Sequence, residues 1–364
     1  MTISTALLFA ALYGDTPDAK HAWAVHDWNR PKPHKVEPGC CPGSAPSDAI
    51  RLFDGTRESF EKNWCADNGG ETTWKYSEEG FFHPSQDWSG IRTRQSFGDC
   101  QLHVEYRHDP ERIFDDQGPQ MRGNSGVFLM GSYEIQVMES YWTSAEAEGT
   151  CEYVDNYADG QAAAVYAENP PMVNPARKPG EWQVYDIVFH QPVWDGETLL
   201  HPGSVTVFFN GVLVQDHWEM EGLSTHCTRR PLAPHATKLP FGLQDHGCHV
   251  EFRNIWLREI PSRWDNRTHS ALAADEGEVM KLRRETAGKL FAKIADPSAG
   301  TAENVKALAE VVSYANEGEW AKAFAGALDA YRRNHGDAAE TGDVNNALGV
   351  LVRNGIYGEE ILIK

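Results

Sequence analysis

From residue 74 to residue 259 the chain alternates apolar and polar positions in short runs, at 74–76, 90–93, 100–107, 125–130, 133–138, 182–191, 204–210, 239–243 and 249–259. Alternation with period two sends successive side chains to opposite faces of a sheet, so each run predicts a strand. Turn residues separate the runs. Gly131-Ser132 stands between two neighbouring strands, and Asn210-Gly211 predicts a type I′ hairpin, because both central positions of that turn need positive φ. Strands so spaced predict an antiparallel all-β sandwich of the jelly-roll kind. The segment 142–180 breaks the pattern: it is polar, irregular and carries Pro170-Pro171, which predicts an insertion lying over one end of the sheet rather than core.

Past Ile260 the character changes. Ala, Glu, Lys and Leu dominate 271–295, 302–316, 319–334 and 343–354, with Gly300, Gly318, Gly336 and Gly342 at the breaks, so three or four short helices are expected around a small core. Ahead of the strands, the Pro-, Gly- and Ser-rich stretch 31–47 marks an extended arm that includes His26, Asp27 and Trp28. Residues 6–12 form an apolar run like the core of a signal peptide, without basic residues before it. The expected division is a signal-like segment and arm over 1–47, a sandwich domain over 48–262 and a helical appendage over 263–364. Packing is the expected role of the appendage, with oligomerisation or docking as the alternative.

Composition narrows the partners. The 364 residues are 41% hydrophobic and 24% charged and include no apolar run long enough to cross a bilayer. A formal charge of −20 disfavours nucleic acid or an anionic membrane surface, both of which reward clustered Lys and Arg, and favours a neutral or weakly charged substrate such as a sugar. Twelve Trp and twelve Tyr suit ring stacking on sugars and equally suit a sandwich core. Seven cysteines show no CxxC pair or zinc spacing. In an exported protein, secreted or periplasmic, Cys40-Cys41 would pin a loop and Cys227 with Cys248 would staple another; in a cytosolic one they are buried thiols. Oligomeric state is not legible.

The densest chemistry lies in Glu134-Ile135-Gln136-Val137-Met138-Glu139. Strict alternation puts Glu134 and Gln136 on one face and Glu139 on the other. A β-bulge near Val137-Met138 would return Glu139 to the first face, giving two acids and an amide in one row, suited to removing a proton in one place and delivering it in another. The competing reading is a half-buried strand whose glutamates point to water.

Several phrases then occur together and in order: Asn124-Ser125-Gly126-Val127-Phe128, Tyr133-Glu134-Ile135-Gln136-Val137, Ala158-Asp159-Gly160-Gln161-Ala162, Gly180-Glu181-Trp182, Asn210-Gly211-Val212, and Leu243-Gln244-Asp245-His246-Gly247 leading into Phe252-Arg253-Asn254-Ile255. In these the chain resembles the 3-keto-disaccharide hydrolase domain family over about residues 52–260, which implies a concanavalin A-like jelly roll and cleavage of 3-keto-glycosides. The 134–139 stretch is also similar to the ExDxxE strand of laminarinase- and lichenase-type retaining glucanases, whose first glutamate is nucleophile and last is acid/base. Here Gln136 replaces the middle aspartate and removes the charge that tunes its neighbours.

A carbonyl at carbon 3 acidifies the hydrogen on carbon 2, so a base can form an enolate while the glycosidic oxygen leaves carbon 1. Such a site needs a base, an acid and a donor at the enolate oxygen. Glu134 and Glu139 are the candidate base and acid, in either order, and His246 is the third catalytic candidate. Gln136, Gln244, Asn124 and Asp159 are candidates for binding hydroxyls, and Arg92 for polarising the keto oxygen. Turn chemistry, a loop histidine bonded to backbone, and a surface salt bridge are the plainer alternatives for Asn124, His246 and Arg92. Tyr166 and Trp182 are stacking candidates that core packing explains as well. No cofactor is required; a divalent metal ion held by Glu134, Asp159 and His246 stays open, although no ligand spacing demands it. Direct hydrolysis of an unoxidised glucan and a non-catalytic carbohydrate-binding module are the alternatives to 3-keto-glycoside cleavage.

Overall fold

The computed structural model describes residues 16–19, 22–23, 29, 40–112, 121–141, 158–226, 228, 230–262, 276–335 and 342–363. The chain divides into two compact units, residues 35–262 and residues 1–34 together with 263–364.

The first unit opens with β1 (Ile50–Phe53), α1 (Arg57–Asn63), β2 (Trp64–Ala66), β3 (Lys75–Ser77) and β4 (Phe81–His83). It continues through β5 (Ile91–Phe97), β6 (Cys100–His108), β7 (Ser125–Leu129), β8 (Tyr133–Val137) and β9 (Gln183–His190). The hairpins β10 (Val193–Asp195) with β11 (Thr198–His201) and β12 (Ser204–Phe209) with β13 (Val212–Glu219) follow. The short pair β14 (Gly222–Leu223) and β15 (Arg230–Pro231), then β16 (Leu239–Leu243) and β17 (Val250–Glu259), complete the unit. One sheet has the order β13-β12-β9-β6-β17-β4-β3, with β1 also on β17, and the second has the order β2-β5-β16-β7-β8. The inward rows of both sheets, among them Leu102, Val104, Tyr106, Val127, Ile135, Val137, Tyr185, Ile187 and Phe252, fuse into one apolar core. This is a jelly-roll sandwich. Alternation is the cause: β9 reads buried and half-buried by turns along its whole length.

The Asn210-Gly211 turn takes positive φ at both residues, 51° and 81°, as type I′ requires. The β7–β8 turn differs from expectation. Its left-handed residues are Met130 and Gly131, φ 51° and 65°, one position earlier than Gly131-Ser132. The insertion also departs from its expected place outside the core: Ala162, Ala163 and Val165 are core residues, and Val165 bridges Ile135 on the outer edge of β8. Ala163 N–H donates to the Gln136 carbonyl (2.9 Å) and Tyr166 N–H to that of Glu134 (3.0 Å), so this segment covers an edge otherwise open to pairing. Trp182 is not a core aromatic. It carries the guanidinium groups of Arg107 and Arg253 over its ring at 4.7 and 4.0 Å.

In the second unit α2 (Glu276–Phe291), α3 (Ala302–Tyr314), α4 (Gly318–His335) and α5 (Gly342–Arg353) enclose a core of Val305, Leu308, Val312, Phe324, Leu328 and Leu348. Thr301 caps α3 by accepting the Asn304 N–H (3.2 Å). The arm contributes here: Asn29 Nδ2 donates to Glu310 Oε1 (2.8 Å), and Trp23 packs edge-on against Tyr314. The signal-like run at 6–12 and Cys227, half of the expected staple with Cys248, lie outside the described residues. Cys40 and Cys41 are exposed thiols with their sulfurs 3.8 Å apart.

Candidate active site

Tyr133, Ile135 and Val137 belong to the core, so alternation turns Glu134 and Gln136 to the opposite face of the five-stranded sheet. The ladder between β7 and β8 is regular from Leu129↔Tyr133 to Ser125↔Val137, and the bulge expected near Val137-Met138 does not form within it. Glu134 is only 5% exposed. Its carboxyl leans across to Gly126 on β7, where a Cβ would lie 2.3 Å from Oε1. The Gln136 amide fits between two neighbours: with its nitrogen toward Glu134 it donates to Oε1 at 2.9 Å and to the Ser125 carbonyl at 3.1 Å. In the opposite amide orientation the Gln136 nitrogen instead donates to Oδ1 of Asn124, immediately before β7, at 3.3 Å. Ser224 Oγ accepts the Glu134 N–H (2.9 Å). Burial pushes the Glu134 carboxyl up to about 8, so at neutral pH it holds its proton.

Register extends this face across the sheet. Glu134 pairs with Phe128, Phe128 with Gly242, Gly242 with Arg92 and Arg92 with Cys65, a row contributed by five strands. Over it opens a cavity of about 570 Å³ whose lining includes Arg92, Asp67, Trp88, Phe128, Gln244 and His246. Arg92 Nε is buried with no hydrogen-bond partner among the described residues. A buried donor left so is costly, and a ligand oxygen would satisfy it. Asp67 stands beside Arg92; burial raises its carboxyl and the guanidinium charge opposes the rise.

Gln244 lies beside Gly126, donating its N–H to the Gly126 carbonyl (3.0 Å) and accepting Ser125 Oγ at its own carbonyl (2.7 Å). Neighbouring strands are about 4.8 Å apart, so the Glu134 carboxyl over Gly126 is one strand from Gln244 and His246 follows two residues on. The His246 ring centroid is 4.7 Å from that of Trp88, and its Nδ1 is buried without a hydrogen-bond partner among the described residues. Burial lowers its pKa below the ordinary value, with Asp245 opposing and His226 adding to the fall, so the imidazole is neutral at pH 7. Asp245 organises the rim: it accepts the N–H groups of Asp87 (3.0 Å) and Gly247 (2.8 Å), tying the end of β16 to the loop that carries Trp88. Trp88 is 61% exposed and has φ of 66°.

Arg92, Gln244 and His246 therefore share one cavity, with Glu134, Gln136 and Asn124 alongside on the same sheet face. Glu139 and Asp159 are placed otherwise. Glu139 follows the end of β8, where its N–H donates to the Arg122 carbonyl (3.0 Å), its Oε1 accepts the Tyr141 N–H (2.7 Å) and Arg122 approaches Oε2 at 3.4 Å. Its charge bears on Tyr106, a core residue between the sheets. Asp159 is half-buried in the short turn Ala158–Gly160, away from the cavity lining. Among the described residues no three His, Cys, Asp or Glu side chains converge to hold a metal ion. Trp88 and Asp67 were not singled out from sequence. An aromatic inside the turn-rich stretch Ser85-Gln86-Asp87-Trp88-Ser89-Gly90 is the signal that marks the first; only packing reveals the second.

A jelly roll with an imidazole and a guanidinium whose Nε lacks a partner among the described residues lining one open cavity, and a buried acid beside it on the same sheet, is the framework of a carbohydrate-active protein. Residues 48–258 match the 3-keto-alpha-glucoside-1,2-lyase-like domain, and the chain belongs to that family. A solved protein from Parabacteroides distasonis ATCC 8503, provisionally called a glycosyl hydrolase, is 34% identical; the match covers 65% of this chain and 95% of that one, with a TM-score of 0.57. A second Parabacteroides distasonis structure, also provisionally called a glycosyl hydrolase, is 18% identical over 62% of this chain and all of its own length, with a TM-score of 0.43. No curated protein matches the chain.

Proposed function

We propose that the protein cleaves 3-keto-glycosides by elimination across carbons 1 and 2, followed by water addition or release of the unsaturated sugar. What supports this reading is the placement of Arg92, with its unsatisfied Nε, Gln244 and His246 in one cavity beside the buried Glu134, with burial shifting the proton affinities of Glu134 and His246 in opposite directions. Glu134 is held protonated and His246 neutral, which at neutral pH is the state required of an acid and a base respectively.

His246 takes the proton from carbon 2, and the C2–H electron pair forms the enolate with carbon 3. Arg92 donates its unsatisfied Nε–H toward the enolate oxygen, where negative charge develops. The enolate then collapses, the C1=C2 double bond forms and the C1–O bond breaks. Glu134 gives its proton to the departing oxygen. In the hydration step the roles reverse: the Glu134 carboxylate takes a proton from water as it adds to carbon 1, and the imidazolium returns one to carbon 2. Gln136 and Gln244 orient the acid and the sugar hydroxyls. His246 thus takes the place first given to Glu139, whose carboxylate is committed to Tyr141 and Arg122.

The test is to incubate the protein with a 3-keto-glucoside and with its unoxidised parent, with and without a chelator, following aglycone release and enone absorbance. Cleavage of the keto compound alone is expected. Cleavage of the parent alone overturns the reading in favour of ordinary glycoside hydrolysis, and loss of activity with chelator returns a metal ion to the site.

A further inference from the structure

The cavity changes chemistry along its length. β16 runs under it from Leu239 and Pro240 through Gly242 to Gln244, about 13 Å from Pro240 to Gln244 at the rise of a strand. The Gln244 end gathers His246, Asp67 and Trp88. At the other end the lining comes from Met130, Gly131, Leu239 and Pro240, with Phe128 between the two regions. None of these side chains is a strong hydrogen-bond donor or acceptor. Gly242 lies in the row between Arg92 and Phe128, and its missing side chain leaves the floor open from one end to the other. A cavity of about 570 Å³ is of the size that takes drug-sized ligands, more than a single sugar ring requires.

Resting on the function proposed above, we infer that the leaving group is an apolar aglycone seated over Phe128 and Pro240, so that the substrates are amphiphilic 3-keto-glycosides rather than 3-keto-disaccharides. The reason is hydrogen-bond satisfaction. A second sugar ring lodged there would bring several hydroxyls onto a surface with no side-chain partners for them, each losing its water. An alkyl or aryl group loses nothing comparable and gains from burial.

The experiment uses the full chain and 3-keto-glucosides with methyl, propyl and hexyl aglycones, which share one class of leaving group, beside a 3-keto-disaccharide. kcat/KM is expected to rise about tenfold or more from methyl to hexyl as methylenes are buried, and the hexyl compound to exceed the disaccharide by a similar factor. Gly242→Val places two methyl groups on the floor between the two regions, and is expected to collapse the hexyl-to-methyl ratio toward one. A Cβ at Gly242 meets the Ile91 carbonyl oxygen and Phe128 Cβ at 3.5 Å, an ordinary contact, so Gly242→Ala provides a smaller step in the same direction. Pro240→Ser, half-buried at the far end on the cavity face of β16, provides a variant at a second position and is expected to lower the same ratio. A flat alkyl series, or preference for the disaccharide, overturns the inference while the elimination chemistry stands. Failure to cleave any keto-glycoside overturns both.

Discussion

The carboxyl of Glu134 occupies the space in which Gly126 would carry a Cβ, with Oε1 only 2.3 Å from that position. Two strands thus cooperate in burying one acid: β8 supplies the side chain and β7 supplies the gap. Gly126→Ala forces the carboxyl away from Gln136, and overpacking of this kind costs about 1–3 kcal/mol. A fall in the urea midpoint together with a larger loss of turnover is expected. A variant as active and as stable as the parent would show the gap to be incidental.

The rate is expected to follow a bell in pH. Below the lowered pKa of His246 the base becomes protonated, and above about 8 Glu134 has lost the proton it must donate. kcat/KM of Glu134→Gln should fall by about 10²–10⁴ and what activity remains should lack the alkaline limb. An unaltered alkaline limb in that variant assigns the limb to another group.

Stability is expected to fall toward alkaline pH in two windows. Glu134 binds its proton more tightly folded than unfolded, so its contribution is full below 4.5 and is lost as pH rises to about 8. His103 has the same sign. Burial alone would lower its pKa, but Asp186 at 2.6 Å and Glu105 at 3.4 Å outweigh it and hold the imidazolium up to about 9, so its contribution is full below 6.5 and lost as pH rises through about 9. Denaturant titrations across pH on Glu134→Gln and His103→Gln should each remove one window and leave the other.

Arg92→Met removes the donor aimed into the cavity and is expected to lower kcat by about 10²–10³ with little change in KM, the pattern of a group that acts on transition-state charge. Arg92→Lys should recover part of the loss. A change confined to KM would make Arg92 a binding residue only.

Glu139→Gln should act on stability rather than chemistry, because the carboxylate serves Tyr141 and Arg122. A loss of about 1–3 kcal/mol, with kcat/KM within about threefold of the parent, is expected from urea denaturation and turnover. A large fall in turnover at unchanged stability would restore Glu139 as the second acid.

Much of the sandwich was legible because period-two alternation is a local property: the runs at 100–107, 125–130, 182–191 and 239–243 coincide with β6, β7, β9 and β16 to within two residues. β1, β2 and β4 were not, being three or four residues long and too short to establish a period. The buried half of the insertion was also missed. Ala162-Ala163-Ala164-Val165 takes its place from the edge of β8 rather than from any pattern of its own.

The sequence by itself determined the alternating strands, the change to helices after them and, through its ordered phrases, the family. It also determined that Glu134 and Gln136 share a face, since that follows from one strand's pleat. Only the tertiary structure decided that Arg92, Gly242, Phe128 and Glu134 stand in one row, that Glu139 is bound elsewhere, and that His246 flanks the cavity with Trp88. The physical reason is range. A pleat is set by adjacent residues, whereas strand order, burial and the proton affinities that burial shifts are set by residues distant in the chain.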